Sequence, residues 1–210
     1  MGGKFITLEG CDGSGKTTQI NLLKNKLKEM AIPCLFTREP GGTHISEQVR
    51  EVILDAANQG MVSQTEALLY GACRAQLVGE VILPALKKGM HVICDRFIDS
   101  TLAYQGYGRG LSLEDLEAIN NYATGGLKPD LTIVLDINPE LTLQRISKRK
   151  VDRLEGEKVE FHHRVRNGYL KLAQLEPERF IIIDGHRSIE DVHNEIMHKV
   201  LSVFVSDSDQ

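Results

Sequence analysis

Residues 10–17 read Gly-Cys-Asp-Gly-Ser-Gly-Lys-Thr and fit the pattern G-x-x-x-x-G-K-[ST] of a phosphate-binding P-loop. A short apolar run, residues 4–9, precedes this motif, and a helical pattern begins directly after it at Thr18. In such a strand–loop–helix unit the glycines turn backbone N–H groups inward, and the helix N-terminus adds positive partial charge. A chance match in a glycine-rich turn would lack these flanks. The motif therefore predicts a nucleoside triphosphate site.

Two side chains of the motif have expected roles of their own. Lys16 should reach the β- and γ-phosphates, and the Thr17 hydroxyl should ligate Mg²⁺. The predicted triphosphate contacts are the whole motif and the residue after it: Gly10, Cys11, Asp12, Gly13, Ser14, Gly15, Lys16, Thr17 and Thr18.

The length of 210 residues and the hydrophobic content of 41% predict one globular domain, residues 1–205, followed by a frayed tail, residues 206–210. A balance of 25 basic and 29 acidic residues gives a net charge of −4, which argues against a nucleic-acid partner. No apolar run approaches the roughly 20 residues that a membrane span needs. The N-terminus reads as a strand rather than as a signal peptide.

The cysteines and histidines indicate a reducing compartment and no structural transition-metal site. The four cysteines contain no C-x-x-C pair, and the seven histidines contain no H-E-x-x-H spacing. Thiols in or beside apolar strands and helices are typical of reduced, intracellular proteins. We therefore predict a cytoplasmic protein without a membrane or nucleic-acid partner.

Five apolar runs alternate with helical patterns along the chain: residues 4–9, 34–37, 90–95, 131–136 and 180–184. This alternation predicts an α/β fold with three layers, in which a five-stranded parallel sheet is covered by helices on both faces. Ligands bind such sheets at the carboxyl ends of the strands. At that edge we expect the P-loop, Arg38, Asp95, Arg96 and the loop after Asp184.

Asp95 ends the third apolar run, where P-loop enzymes place a carboxylate that supports Mg²⁺. The alternative is a polar residue that simply marks where the strand meets water. Arg96, directly after it, makes that alternative less attractive. The sequence thus predicts a Mg²⁺ site formed by Thr17 and Asp95.

A long helix is predicted over residues 64–88. Tyr70 and Arg74 are i,i+4 neighbours on a face away from its apolar positions. They form either a surface pair or the wall of a site, and the helical pattern alone favours the surface pair. The expected core stripe of this helix is Leu68, Ala72, Ala75, Val78, Ile82 and Leu86.

Three further stretches carry a family resemblance. Residues 38–43 read Arg-Glu-Pro-Gly-Gly-Thr, and residues 68–76 read Leu-Leu-Tyr-Gly-Ala-Cys-Arg-Ala-Gln. Residues 95–106 read Asp-Arg-Phe-Ile-Asp-Ser-Thr-Leu-Ala-Tyr-Gln-Gly. In this order and spacing they resemble the second signature, the thymine-binding helix and the third signature of bacterial thymidylate kinases. The resemblance covers nearly the whole chain.

The resemblance implies the P-loop kinase fold and the ATP-dependent phosphorylation of dTMP to dTDP, by in-line transfer with Mg²⁺, in the supply of dTTP. It also implies a homodimer formed through helices packed in parallel pairs. No covalent nucleophile is required, because the acceptor is the phosphate of dTMP itself.

The same resemblance implies individual contacts with both nucleotides. Asp12 should meet the 3′-hydroxyl of dTMP, and Arg38 and Arg96 should clamp its phosphate. Tyr70, where a phenylalanine is common, should stack on thymine, and Arg74 should hydrogen-bond the base. The rest of the dTMP pocket should consist of Ser100, Thr101, Tyr104 and Gln105, and the adenine of ATP should be bordered by Arg145 and the loop after Asp184.

Residue 13 is a glycine at a position where some thymidylate kinases carry an arginine. Chains without that arginine resemble the subgroup that supplies catalytic arginines from a lid. A basic cluster in a predicted lid at about residues 145–157 agrees with this: Arg145, Lys148, Arg149, Lys150 and Arg153. The cluster is either a solvated face or a mobile cover whose arginines, Arg153 foremost, act on the phosphates. The expected catalytic residues are therefore Lys16, Asp12, Arg96, Arg149 and Arg153.

Two other functions are weighed against this one. A kinase of another nucleotide or of a nucleoside would share the P-loop, and a 5-methyl group contributes only about 1–3 kcal/mol of discrimination. A P-loop switch protein would need an N-K-x-D motif and a D-x-x-G after a strand, and neither occurs in the right place.

Overall fold

The computed structural model describes residues 2–146 and 152–205. In this part of the chain five parallel strands form one sheet in the order β2-β3-β1-β4-β5. The strands are β1 (Phe5–Glu9), β2 (Cys34–Arg38), β3 (His91–Asp95), β4 (Leu131–Asp136) and β5 (Phe180–Asp184). Each predicted strand is confirmed within one residue at either end. Lys148, Arg149, Lys150 and the predicted tail, residues 206–210, lie outside the described residues.

Nine α-helices connect and cover the strands within the described ranges. They are α1 (Lys16–Glu29), α2 (His44–Leu54), α3 (Ser63–Leu77), α4 (Leu83–Lys87), α5 (Ile98–Thr101), α6 (Leu113–Thr124), α7 (Pro139–Ile146), α8 (Val159–Leu175) and α9 (Ile189–Val205). Two π-helical turns, Val78–Ile82 and Leu102–Gly108, continue α3 and α5. None of the described helices is long and apolar enough to cross a bilayer.

The alternation of side chains along the strands gives the sheet two different faces. Ile6 and Leu8 of β1 join a core with α1 and α9, to which α9 contributes Val192 and Ile196. Phe5, Thr7 and Glu9 belong to the opposite set of β1, because successive side chains of a strand point to opposite faces. The three-layer arrangement is therefore confirmed, and the second face carries polar groups as well as apolar ones.

The core stripe predicted for the long helix is wrong in α3. Leu68 is 58% exposed, whereas Arg74 is only 1% exposed. The face that α3 turns to the protein carries Glu66, Ala67, Gly71, Cys73, Arg74 and Leu77. The prediction failed because Arg74 pairs in the interior with the buried carboxylate of Glu39, the residue directly after β2.

The helical segment is also interrupted between α3 and α4. Pro84 lacks a backbone N–H, and in a regular helix its ring would collide with the carbonyl four residues earlier. The π-helical turn Val78–Ile82 lies directly before it and accommodates this proline by widening the helix locally.

Candidate active site

One large cavity of about 1020 Å³ opens at the carboxyl ends of β1, β2 and β3. It runs from the P-loop to the third signature, so the two halves of the predicted site share one space. The predicted site residues that line it are Asp12, Gly13, Gly15, Lys16, Thr17, Thr18, Arg38, Tyr70, Asp95, Arg96, Ser100, Thr101, Tyr104, Gln105 and Arg145. Gly10, Cys11 and Ser14 belong to the P-loop but lie behind its surface.

The P-loop is fixed by close backbone approach. Gly10 has φ 131°, and a Cβ there would lie 2.6 Å from the carbonyl oxygen of Leu135 in β4. Gly13 has φ 81°, and a Cβ there would lie 2.7 Å from the carbonyl oxygen of Thr142 in α7. An arginine at residue 13 would therefore require α7 to move, so in this chain the position is closed to a side chain.

Lys16 folds back over the loop that precedes it. Its ammonium donates to the carbonyl oxygens of Gly10, at 2.9 Å, and Cys11, at 3.1 Å. Burial and the positive charge of Arg96 lower the pKa of this ammonium from its ordinary value. The cation is thus held near the loop and available to a phosphate oxygen.

Arg96 stands at the centre of the cavity wall. Its backbone is left-handed, with φ 70°, a conformation that costs a non-glycine residue about 1–3 kcal/mol. Its Nη2 donates to Asp12 Oδ1 at 2.8 Å and to the Tyr104 hydroxyl at 3.1 Å. The Tyr104 hydroxyl donates in turn to Asp12 Oδ2 at 2.9 Å. The guanidinium also lies over the Tyr104 ring, 5.0 Å from its centroid.

These contacts fix the charge state of the pair. Burial disfavours the Asp12 carboxylate, but the charges of Arg96 and Lys16 outweigh burial and hold its pKa below the usual range. The same pairing with Asp12 raises the pKa of Arg96 despite its burial. Asp12 is therefore an anion with lone pairs left to accept a hydrogen bond from a ligand hydroxyl.

Asp95 and Thr17 fit the metal site predicted for them. Asp95 Oδ1 is buried and has no hydrogen-bond partner among the described residues, and Asp95 and Thr17 line the same cavity. Carboxylate and hydroxyl oxygens are the ligands that Mg²⁺ prefers. A buried carboxylate oxygen without a partner is costly, and a bound cation would remove that cost.

Arg74 is not among the residues that line the cavity in the described structure, and its predicted contact with the base stays a prediction. Its five N–H groups are used: Nε and Nη2 bind Glu39 Oε2, at 3.0 and 2.6 Å, and the other three bind Thr101, Asn120 and the carbonyl of Phe97. Thr101 does line the cavity. The arginine therefore supports the pocket wall from behind.

Arg153 is also placed differently from the prediction. It is 6% exposed, and its guanidinium pairs with Glu66 at 2.6 Å and donates to the carbonyl of Ile53 at 2.9 Å. It is not among the residues that line the cavity, although its neighbours Asp152 and Leu154 are. In the described structure Arg153 links α2 to α3 through these two contacts, and the catalytic role predicted for it stays a prediction. Arg149 lies outside the described residues.

Arg38, Tyr70 and Arg145 line the cavity, whereas the predicted loop after Asp184 does not. Arg38 forms a bidentate pair with Glu47, at 2.8 and 3.1 Å, on an exposed surface. Arg145 donates to the carbonyl of Gly13 at 3.1 Å. Tyr70 is half-buried at the wall. The loop after Asp184 forms a pair between Asp184 and His186 at the end of β5 and lies outside the cavity lining.

Two residues of the cavity lining, Arg50 and Glu39, were not predicted from the sequence. Arg50 lines the cavity and donates to the carbonyl of Pro40 at 2.7 Å. Glu39 also lines it, and its Oε1 is buried without a hydrogen-bond partner in the described part of the chain. Glu39 lies within a quoted signature, but Arg50 sits in an ordinary amphipathic helix that gives no local signal of function.

Comparisons with known proteins show the family of this chain. The family model described as Thymidylate kinase matches residues 8–196. Thymidylate kinase of Caldanaerobacter subterraneus is 54% identical over 200 residues, which are 95% of this chain and 96% of that protein. Thymidylate kinase of Pelotomaculum thermopropionicum is 50% identical over 210 residues, 98% of this chain and 97% of that protein.

A solved structure is similar as well. The crystal structure of thymidylate kinase from Ehrlichia chaffeensis aligns with a TM-score of 0.78 at 37% sequence identity. The alignment covers 95% of this chain and 99% of that one. The α/β P-loop kinase fold predicted from the sequence is thereby confirmed.

We expect Lys16→Ala to weaken nucleoside triphosphate binding by about 10- to 100-fold, because a charged hydrogen bond contributes about 1.5–3 kcal/mol. Its melting temperature should stay near that of the unaltered chain, since burial and the like charge of Arg96 oppose the favourable contacts of the ammonium with two loop carbonyls and its attraction to Asp95 and Asp12. Calorimetric titration and thermal unfolding measure the two quantities. Lys24→Ala, on the exposed face of α1, is the control. Unchanged affinity in Lys16→Ala would exclude the P-loop as the triphosphate site.

Proposed function

Because this chain belongs to the thymidylate kinase family, we propose that its cavity holds ATP on the P-loop and dTMP against Arg96, with the two phosphate ends facing each other. The chain is a kinase that converts dTMP to dTDP. The observation that supports this placement is that two cations from different strand ends, the buried Lys16 and the half-buried Arg96, line one cavity, and that Asp12 of the P-loop pairs with Arg96 there.

The reaction needs alignment and charge neutralisation rather than a covalent nucleophile. The γ-phosphoryl group leaves ADP as it bonds to an oxygen of the dTMP phosphate, which yields dTDP. Lys16 would neutralise the donor phosphates, and Arg96 would hold the acceptor phosphate in line. Arg38 would have to share its guanidinium between Glu47 and that phosphate.

The sugar and base of dTMP would lie along α3 and α5. Asp12 accepts the 3′-hydroxyl in this proposal, and Tyr70 stacks on thymine. The pocket wall consists of Ser100, Thr101, Tyr104 and Gln105. Gln105 is oriented by Glu66, to which its amide donates at 2.7 Å. Arg74 acts through Thr101, whose hydroxyl it holds at 3.0 Å.

Mg²⁺ is part of the proposal, with Thr17 and Asp95 as its protein ligands. When held by Thr17 and Asp95, the ion would supply positive charge that stabilises the negative charge of the donor phosphates. Asp95 supports this assignment because its buried Oδ1 has no other partner among the described residues. The adenine of ATP would lie beside Arg145, with the loop after Asp184 as its further border.

We also propose one kinase domain over residues 1–205 with a lid at about residues 145–157. The anchored position of Arg153 makes Arg149 the first candidate for the lid cation that Gly13 cannot supply.

Four free cysteines, Cys11, Cys34, Cys73 and Cys94, support a cytoplasmic location. There the dTDP formed would feed dTTP synthesis.

A homodimer is supported by apolar side chains exposed on three adjacent helices. Leu68 of α3, Val52 of α2 and Tyr122 of α6 are 58%, 48% and 95% exposed. α3 packs against both α2 and α6. Ala72 and Ala75 continue the exposed apolar face of α3 and would let a second helix approach closely. Exposed apolar patches of this kind mark interaction sites.

The two lid arginines give the sharpest test of the catalytic proposal. We expect Arg149→Ala to lower kcat by roughly 100-fold or more with little change in dTMP affinity, as for transition-state arginines elsewhere. Arg153→Ala should instead lower the free energy of unfolding by about 2 kcal/mol, because Glu66 loses a buried charged hydrogen bond. Single-turnover kinetics and urea unfolding on both variants measure this. A large kcat loss in Arg153→Ala alone would reverse the assignment.

The dimer proposal is tested by Leu68→Glu. A carboxylate in the middle of the apolar face of α3 should make the protein monomeric at micromolar concentration, because burying an unpaired charge in an interface is costly. Light scattering coupled to size-exclusion chromatography gives the mass in solution. Leu175→Glu is a matched control, since Leu175 is 71% exposed at the end of α8. A wild-type chain that is already monomeric would refute the proposal.

A further inference from the structure

β1 ends in a carboxylate, Glu9, that the mechanism above does not use. Glu9 is 0% exposed and directly precedes the P-loop. Its side chain faces α5 and α8, where it contacts Ser100, which lines the cavity, and Tyr169, which does not. A charged group so deeply buried requires specific partners.

The carboxylate oxygens of Glu9 accept three hydrogen bonds. Oε1 accepts the backbone N–H of Phe97 at 2.7 Å. Oε2 accepts the Ser100 hydroxyl at 2.6 Å and the Tyr169 hydroxyl at 2.8 Å. Phe97 is the residue directly after Arg96, so Glu9 holds the backbone on one side of that arginine.

The same two hydroxyls also contact the Arg96 side chain. Arg96 Nη1 donates to Ser100 Oγ at 3.1 Å and to the Tyr169 oxygen at 3.2 Å. When Glu9 is ionised, both hydroxyls can donate to Glu9 while both oxygens accept from Nη1. The two hydroxyl oxygens also lie 2.8 Å apart, and in this assignment neither donates to the other. The guanidinium is thereby held on two sides, by Glu9 through hydroxyls and by Asp12 directly.

We propose that Glu9 is a positioning residue for phosphoryl transfer, which sets the orientation of Arg96 toward the dTMP phosphate through the hydroxyls of Ser100 and Tyr169. This inference rests on the proposed role of Arg96 as the ligand of that phosphate. Among the described residues no acceptor lies against Arg96 Nε, so fixing both Nη atoms leaves one N–H for the phosphate. A guanidinium held in advance loses less entropy on binding.

Replacing Glu9 by glutamine would reverse the direction of some of the hydrogen bonds between residue 9, the two hydroxyls and Arg96. An amide has one acceptor oxygen and one donor group in place of two acceptors. If its NH₂ faces the hydroxyls, it occupies their lone pairs, and their hydrogens turn toward Arg96 Nη1. The arginine would then lose its acceptors on that side while the shape of the core stays the same.

The test compares dTMP with thymidine, which lacks the phosphate. At pH 8, above the pKa of about 7 to which burial and the charge of Asp99 raise Glu9, Glu9→Gln should weaken dTMP binding by about tenfold. Thymidine binding should change less than about twofold. Tyr169→Phe, which removes one hydroxyl and keeps the buried ring, should weaken dTMP by about threefold. Thr7→Val, a buried hydroxyl loss on the same strand, is the control and should change neither.

A double-mutant cycle with Arg96→Ala tests whether the effect of Glu9 on dTMP binding acts through Arg96. Arg96→Ala alone should weaken the binding of dTMP much more than the binding of thymidine. Adding Glu9→Gln to Arg96→Ala should then cause no further loss of dTMP affinity. Equal losses for dTMP and thymidine in Glu9→Gln and Tyr169→Phe, or losses that persist without Arg96, would overturn the positioning role. If Arg96→Ala leaves the preference for dTMP over thymidine unchanged, the proposed role of Arg96 is wrong, and the positioning role of Glu9 is wrong with it. If Glu9→Gln does not fold, Tyr169→Phe carries the same comparison.

Discussion

The ion pair between Asp12 and Arg96, 2.8 Å long, joins the P-loop to the segment after β3. Arg96 occupies a left-handed backbone conformation that costs about 1–3 kcal/mol. The pair and the Tyr104 hydroxyl, which binds both partners, offset that cost. In the proposed arrangement Asp12 lies in the P-loop that holds ATP and Arg96 holds the dTMP phosphate, so this one contact would set how the two nucleotides face each other.

The charges of the site are already paired with protein groups in the described structure. Lys16 donates hydrogen bonds to loop carbonyls, Arg38 pairs with Glu47, and Arg96 pairs with Asp12. Cations that are oriented before the ligand arrives do not have to reorganise during the reaction, and such preorganised groups contribute strongly to catalysis. Asp95 differs, since its buried Oδ1 has no partner in the described residues and suits a cation instead.

The sequence was sufficient for the strands and for the P-loop, because both depend on local patterns of apolar residues and glycines. It was insufficient for Arg74 and Arg153. Helical periodicity places Arg74 on a polar face, but Glu39, 35 residues away, pairs with it in the core. Arg153 looked like part of a mobile basic segment, yet Glu66 binds it in the interior. Ion pairs between residues far apart in the sequence do not appear in the periodicity of a helix. The core of α3 was also predicted wrongly, because the apolar side chains of α3 that were predicted to form it are exposed rather than buried.

The most direct test is a crystal structure of this chain with dTMP bound. We expect a phosphate oxygen about 2.7–2.9 Å from the Arg96 guanidinium, the usual length of a charged hydrogen bond. Arg96 should keep its contacts with Asp12 and with the hydroxyls of Ser100 and Tyr169. A dTMP phosphate bound away from Arg96, or an Arg96 side chain that leaves Asp12 and both hydroxyls to reach it, would contradict the preorganised arrangement.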